Sequence, residues 1–427
     1  MVLCWGTILF DGYDLTVYGA IVPSLLRDPV WHLTPAQAGA IGSYALMGML
    51  VGALVVGTVT DMVGRRKLVI ACQVWFSIAM GFAAFAPTPE LLGLFRFVAG
   101  VGLGGVMPTI TALTLEYAPV RRRQFVYAVM YTGYSVGGVL AALLAVPLIP
   151  AFGWRVMLGI GVAPLLLLVP VSVKLLPESV SFLRAKGRVA EAQAVEARLG
   201  VTAAPVDPTV EAGAEDEAPR GRFASVAQLF RRSYVVGTVM LWAAAFLGLL
   251  LVYGLATWLP EIMRRSGFPL GSALLVLTSL NVGAVVGTIA AARIGDRYGS
   301  KVVLMISFAA AAIANLLLSL KFGLGVNLLL VALAGFGSIG TAILMNAYVA
   351  SFYPVSSRAT GVGWSLSVGR LGAILGPVIG GFIVGSTLAV EWNFYVFGIA
   401  AVLGAVLVAL VPRSPTERLT REETQRG

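Results

Sequence analysis

Two aspartates, Asp11 and Asp14, stand inside an otherwise apolar opening segment, MVLCWGTILFDGYDLTVYGAIVPSLL. A helix of about 20 residues crosses a bilayer, so this segment is long enough to span one. An acidic side chain at mid-depth costs roughly 2.5–3.5 kcal/mol even on a lenient insertion scale, and such residues line substrate paths and proton relays. Being three apart, the two carboxyls share one face of a helix. A pair of like-charged carboxyls in a low dielectric is suited to loading and releasing protons near neutral pH. The expected role of Asp11 and Asp14 is therefore to carry protons in a coupled transporter.

Two arginines are placed in a similar way. Arg96, in LLGLFRFVAG, cannot escape burial by deprotonating, and its forked guanidinium suits a carboxylate. That carboxylate can be Asp11, Asp14 or a substrate's. An arginine that trades one for the other would couple two ligands. Arg370 follows Arg358 by twelve residues. At 1.5 Å per residue this is about 18 Å along a helix, which puts Arg358 at the membrane edge and Arg370 near the midplane. Arg370 is the leading candidate for holding an anionic substrate, and Arg358 for anchoring or gating the inner side.

The elements that must hold these groups follow from composition. The 427 residues are 58% hydrophobic and only 12% charged, with mean hydropathy +0.90. A soluble chain carries about 25% charged residues. Twelve apolar runs can be marked, at 3–26, 36–59, 68–86, 91–114, 125–147, 154–176, 234–258, 270–292, 302–320, 325–347, 359–385 and 393–411. They are expected to be helices, since lipid leaves no external partner for backbone polar groups. The alternating short strands of a membrane barrel are absent from the sequence.

The net charge of +10 is a topology signal and gives no reason to expect nucleic acid. Basic residues crowd the loops after even-numbered spans, as Arg65, Arg66 and Lys67, then Arg121 to Arg123, then Arg293, Arg297, Lys301 and Arg358. Both termini are then expected on the cytoplasmic side. Cys4 and Cys72 lie in apolar spans and imply no disulfide framework. The opening segment lacks a basic n-region and a cleavage-site pattern, so it is not read as a signal peptide.

The spans form two sets of six. The divisions are a first bundle at 1–176, a polar central loop at 177–233, a second bundle at 234–412 and a tail at 413–427. The central loop opens with ESVSFLRAKGRVAEAQAVEARLG, read as one amphipathic helix ending at Gly200, followed by a Pro/Ala/Glu-rich linker. The halves echo each other: GTVTDMVGRRK follows span 2 and ARIGDRYGSK follows span 8, with Asp61 and Asp296 235 residues apart. This is the signature of a duplicated six-helix unit, a design that binds substrate near the midplane where the repeats meet.

The chain resembles the major facilitator superfamily, whose most characteristic loop is G-x-x-x-D-x-x-G-R-R-K. More narrowly it resembles the aromatic acid:proton symporters. The matching stretches are DGYDLTVYG in span 1, ALTLEYAPVRRR closing span 4, LPESVSFL after span 6 and YPVSSRATGVGWSLSVGRLGAILGP entering span 11. The resemblance implies an all-α fold of twelve transmembrane helices in a bacterial inner membrane, acting as a monomer. It implies a small aromatic acid anion and protons as ligands, with no cofactor. It also raises a proton-coupling role for Glu116, for which an ion pair closing the inner end of span 4 is the alternative.

In the loop motif, Gly57 and Gly64 permit close approach of helix ends, while Asp61, Arg65 and Arg66 supply ion pairs. A gate that closes the cytoplasmic side is expected there, with Asp296, Arg297 and Gly299 as its second-half counterpart. The run Gly100-Val101-Gly102-Leu103-Gly104-Gly105 has no strand before it. It therefore reads as helix packing and does not suggest a dinucleotide loop. Trp5, Trp75, Trp258, Trp364 and Trp392 are expected as interface anchors. Tyr13 and Trp364 are also candidates for stacking on a substrate ring, and Asn281 and Asn346 for bonding a hydroxyl. The single His32 falls in an outer loop, so proton coupling must use carboxylates. No metal-ligand cluster or nucleophile motif supports an enzyme. The expected function is proton-coupled import of a hydroxybenzoate-, protocatechuate- or benzoate-like acid. The alternative is a transporter of the same fold for a sugar, another organic acid or an exported hydrophobic compound.

Overall fold

The computed structural model describes residues 1–119, 123–199, 224–320 and 322–412, and all regular structure within them is helical. The first half contains α1 (Val2–Leu25), α2 (Pro35–Val63), α3 (Arg65–Ala84), α4 (Pro89–Tyr117), α5 (Arg123–Phe152), α6 (Arg155–Gly159) and, after one 3-10 turn, α7 (Ala163–Leu175). Short helices α8 (Val180–Ala185), α9 (Val189–Leu199) and α10 (Ala224–Leu229) follow. The second half contains α11 (Val235–Arg265), α12 (Leu270–Tyr298), α13 (Ser300–Leu318), α14 (Leu324–Phe352), α15 (Val355–Gly385) and α16 (Glu391–Leu410).

Each of the twelve apolar runs is a helix or, for the sixth, the α6–α7 pair. The described residues hold ten stretches long and apolar enough to cross a bilayer, with α1 and α14 outside that set. Several helices outlast the runs that marked them. Thus α11 continues to Arg265 and α12 to Tyr298, because polar residues at a membrane edge end the apolar pattern before they end the helix. The central amphipathic segment is a correction. It is two helices, α8 and α9, broken at Gly187 with φ +73°, and Val180, Leu183 and Ala192 close a small core between them. The linker at 200–223 and the tail at 413–427 lie outside the described residues.

Helix starts follow from local sequence. Thr34 accepts the Gln37 amide in a capping box, with Pro35 in the first turn. Thr88 accepts the Leu91 amide before Pro89 in the same manner. The two repeats agree where the chain must turn fastest. Gly64 (φ +99°) alone separates α2 from α3, and Gly299 (φ +84°) alone separates α12 from α13. A residue with a Cβ is strained at such φ values.

Backbone contacts divide the chain into two units. The first comprises Met1–Ala204, Ala256–Asn281 and Pro377–Thr387. In it α1 packs on α5 and α2 on α4 at backbone distance. A Cβ added at Gly104 would lie 2.1 Å from the Met49 carbonyl oxygen, and one at Gly137 1.8 Å from that of Leu9. The small residues of spans 4 and 5 therefore do the packing expected of them. An apolar core of Cys4, Ile8, Val56, Leu68, Val106, Ile110 and Met130 fills one end of this unit.

The second unit comprises Pro205–Leu255, Val282–Gly376 and Leu388–Gly427. Here α13 packs on α14 and α16. The Tyr353 hydroxyl donates to Thr238 at 2.8 Å, tying the loop before α15 to the start of α11. Large apolar side chains such as Leu54, Phe82, Leu166 and Leu329 stay exposed, as surfaces that meet lipid do.

Candidate proton and substrate site

The centre of the first unit is an ion pair shut away from solvent. Arg96 of α4 donates through Nη1 to Asp14 Oδ1 of α1, with the two side chains 1% and 0% exposed. The guanidinium lies over the Tyr18 ring, 5.2 Å from its centroid, and 4.0 Å from Met80 Sδ. Tyr18 in turn donates its hydroxyl to the Ala38 carbonyl. Asp11, one turn earlier on the same face of α1, is also fully buried. Of the two carboxylates open to Arg96 from the sequence, Asp14 is therefore the bonded one. One turn earlier still on α1, Thr7 accepts the Gln73 side-chain amide at 2.7 Å. The polar face of α1 thus runs Thr7, Asp11, Asp14, and sequence reasoning missed its α3 partner, Gln73. Buried ions survive in such a place only when paired and bonded. Removing either partner leaves a bare buried charge.

Tyr13 is buried too. Its ring tilts toward Phe10 and its hydroxyl donates to the Met157 carbonyl at 2.8 Å. Asn281 is 3% exposed, with its side-chain amide donating to the Leu277 carbonyl at 2.9 Å.

A second cluster sits where α2 and α4 end and α3 begins. Glu116 accepts Arg65 Nη1 at 2.8 Å, Ser179 Oγ at 2.7 Å, and the Ser181 amide and hydroxyl at 2.7 and 2.8 Å. Glu178 accepts the Arg66 and Ser179 amides, each at 3.0 Å, so it caps α3. Arg66 also donates to the Val173 carbonyl, and Tyr117 to the Glu178 carbonyl. Two motifs far apart in sequence, GRRK and PESVSFL, thus form one network around Glu116. The side chains of Asp61, Asp296 and Arg297 lie outside the described residues, as do the surroundings of Gly57 and the backbone of Arg121 and Arg122.

A third cluster was not expected. Glu261, late in α11, accepts Arg27 at 2.8 Å and Arg265 at 2.9 Å with its side chain 2% exposed. The apolar run at 234–258 stops before Glu261, whereas the helix continues to Arg265. Nearby, Trp258 is fully buried and donates to the Pro377 carbonyl at 2.7 Å, so it is no interface anchor. It fills the space left by Gly380.

In the second unit, Arg370 is half-buried on α15 and makes no hydrogen bond or ion pair among the described residues. Trp364, on the same helix, stacks on Trp242 of α11 with centroids 5.5 Å apart and planes 16° apart. Arg358 is exposed, Asn346 half-buried, and Gly299 caps α13 with nothing within 4 Å of an added Cβ. Groups of three or more metal-ligating side chains are absent among the described residues.

Residues 1–269 match the family model described as Sugar (and other) transporter, and residues 241–426 that of the Major Facilitator Superfamily. The chain belongs to the major facilitator superfamily. It is a multi-pass membrane transporter and not an enzyme. It is 39% identical to the benzoate transport protein of Acinetobacter baylyi, over 95% of this chain and 87% of the relative. It is 36% identical to the gentisate transporter of Corynebacterium glutamicum (96% and 86% covered) and 34% to the 4-hydroxybenzoate transporter PcaK of Pseudomonas aeruginosa (95% and 90%). The inward open structure of the xylose transporter XylE from E. coli superposes with a TM-score of 0.76, at 17% identity over 97% of this chain and 96% of that one. This major facilitator fold agrees with the twelve helices expected from the sequence.

Proposed function

We propose that this transporter imports a small aromatic carboxylate together with protons, by alternating access, across a bacterial inner membrane. The observation that carries the coupling is the buried Asp14–Arg96 pair with Asp11 one turn away. Relatives named for benzoate, gentisate and 4-hydroxybenzoate transport support the substrate class. By the basic-loop bias, the Glu116–Arg65 end of the first unit is cytoplasmic and the Arg27–Glu261 end external. Both termini are then cytoplasmic.

In this reading Asp14 or Asp11 takes a proton from outside. Protonation of Asp14 releases Arg96 from its fixed partner. A substrate carboxylate is held by Arg370, which has no hydrogen-bond or ion-pair partner among the described residues. Arg96 is the second cation for it. Trp364, Tyr13, Asn281 and Asn346 are the proposed ring and hydroxyl contacts. The Glu116–Arg65–Ser179–Ser181 network, with Arg66, Gly64 and the loop residues Gly57 and Asp61, closes the cytoplasmic side and must loosen for release. Asp296, Arg297, Gly299 and Arg358 take the equivalent place in the second half. One proton with one monoanion moves no net charge. A second proton would recruit about 2.3 kcal/mol per 100 mV of membrane potential.

The test is uptake of radiolabelled 4-hydroxybenzoate by cells expressing the chain, with unlabelled aromatic acids as competitors and a protonophore control. Saturable uptake that collapses with the protonophore is expected, and the competition order names the substrate. If no aromatic acid is taken up while the protein is present in the membrane, the substrate class is wrong.

A further inference from the structure

The Glu261 cluster joins segments from opposite halves of the chain within the first unit. Arg27, just after α1, donates Nη1 to Glu261 Oε2 at 2.8 Å and Nη2 to Oε1 at 3.4 Å. Its Nη1 also donates to the Pro23 carbonyl at 2.7 Å. Arg265 donates Nε to Glu261 Oε1 at 2.9 Å and Nη1 to the Val384 carbonyl, at the end of α15, at 2.5 Å. The Glu261 side chain is 2% exposed, against 42% for Arg27 and 35% for Arg265. Beneath this cluster the helices meet at backbone distance. A Cβ added at Gly19 would lie 1.9 Å from the Ala256 carbonyl oxygen, and one at Gly39 2.5 Å from that of Pro377. At these two points the packing leaves no room for a side chain between the helices.

The two arginines differ in a way that decides their roles. Arg265 lies four residues after Glu261 on the same helix, so the pair moves as one piece. Arg27 comes from another segment, and its bond breaks whenever the end of α1 leaves α11. A buried carboxylate stripped of its only cation is strongly disfavoured. With Arg265 always present, Glu261 never faces that state. Arg27 likewise keeps the Pro23 carbonyl and is already partly in water. The arrangement therefore closes firmly and opens without stranding a charge.

We propose that Arg27 and Glu261 form the releasable half of an external clamp, with Arg265 as the standing partner that keeps Glu261 neutralised when the clamp opens. This rests on the alternating-access reading. Its test needs no substrate, so failure of that reading in uptake and failure of the clamp are seen separately.

A Thr257→Cys reporter lies in the seam that the clamp covers. Thr257 is 7% exposed, and its Cα would be 3.3 Å from a Cβ at Gly19. The native Cys4 and Cys72 are buried. Full-length protein carrying the reporter is labelled in intact cells with a membrane-impermeant thiol reagent. Adding Arg27→Gln, a change at a partly exposed side chain, is expected to speed labelling about fivefold or more by shifting the population toward the open outer side. Adding Arg265→Gln leaves Arg27 as the one cation paired with Glu261 among the described residues and is expected to give no acceleration. Equal rates with and without Arg27→Gln would overturn the proposal. So would an Arg265→Gln rate as fast as that of Arg27→Gln.

Discussion

Arg96 and Asp14 face each other across α4 and α1 with both charged groups removed from solvent, and an aromatic ring, Tyr18, lies against the cation. Breaking such a pair from one side costs about 3–5 kcal/mol, whereas removing both partners costs far less. Arg96→Gln alone is therefore expected to lower the melting temperature in detergent more than Asp14→Asn with Arg96→Gln together. Neither variant is expected to accumulate substrate. A double variant no more stable than the single one would mean that the pair is not the buried unit described here.

Arg370 offers a charged fork that forms no ion pair among the described residues. A charge-assisted hydrogen bond contributes about 1.5–3 kcal/mol, so Arg370→Gln is expected to weaken binding roughly 10- to 100-fold. Arg370→Lys keeps the charge and loses the fork, and should fall between the two. Substrate protection in thermal unfolding, titrated with an aromatic acid, measures this directly. Unchanged affinity in Arg370→Gln would move the anion site elsewhere.

Gly64 and Gly299 hold equivalent turns in the two repeats but have different neighbours. Both have positive φ, so alanine strains either one. Only at Gly64 would the new Cβ also meet Glu178 Oε2, at 2.6 Å. Gly64→Ala should therefore displace the carboxylate that caps α3. It is expected to lower the melting temperature more than Gly299→Ala, by the equivalent of about 1–2 kcal/mol. Equal losses at the two sites would show that the Glu178 cap contributes nothing.

Outside the spans, Asp28 ties the outer loop. Burial works against its charge, but the Val30 amide, the Trp154 indole N–H, the Trp31 amide and the nearby Arg155 more than offset this and hold its carboxyl below the usual range. A lowered folded-state pKa stabilises above the unfolded carboxylate range, and that stability is lost as pH falls through the folded value. The gap in melting temperature between the natural chain and Asp28→Asn should thus be widest near neutral pH and shrink in acid. A gap that widened on acidification would reverse the assignment.

How far the sequence carried depended on the kind of contact involved. Apolar runs mark helix middles well, so all twelve spans are found. They mark ends poorly: the run at 234–258 stops before Glu261, so its ion pairs with Arg27 and Arg265 are not visible in the sequence. Helical spacing placed Asp11 and Asp14 on one face, but choosing Asp14 as the partner of Arg96 needed the position of α4 against α1. The loop motif and PESVSFL were each visible, yet nothing in their spacing says that Ser179 and Ser181 bond Glu116. A single glycine, Gly187, divides a segment whose apolar periodicity reads as one helix.

The most direct test of the coupled-transport account is the pH of a lightly buffered medium around de-energised proteoliposomes holding the full-length chain, recorded as radiolabelled 4-hydroxybenzoate enters. Protons leaving the medium with the acid, at least one per molecule of label, would raise the external pH in step with uptake, and Asp14→Asn would abolish the rise. Accumulation of label with no change in external pH would contradict proton coupling and remove the role assigned to the Asp14–Arg96 pair.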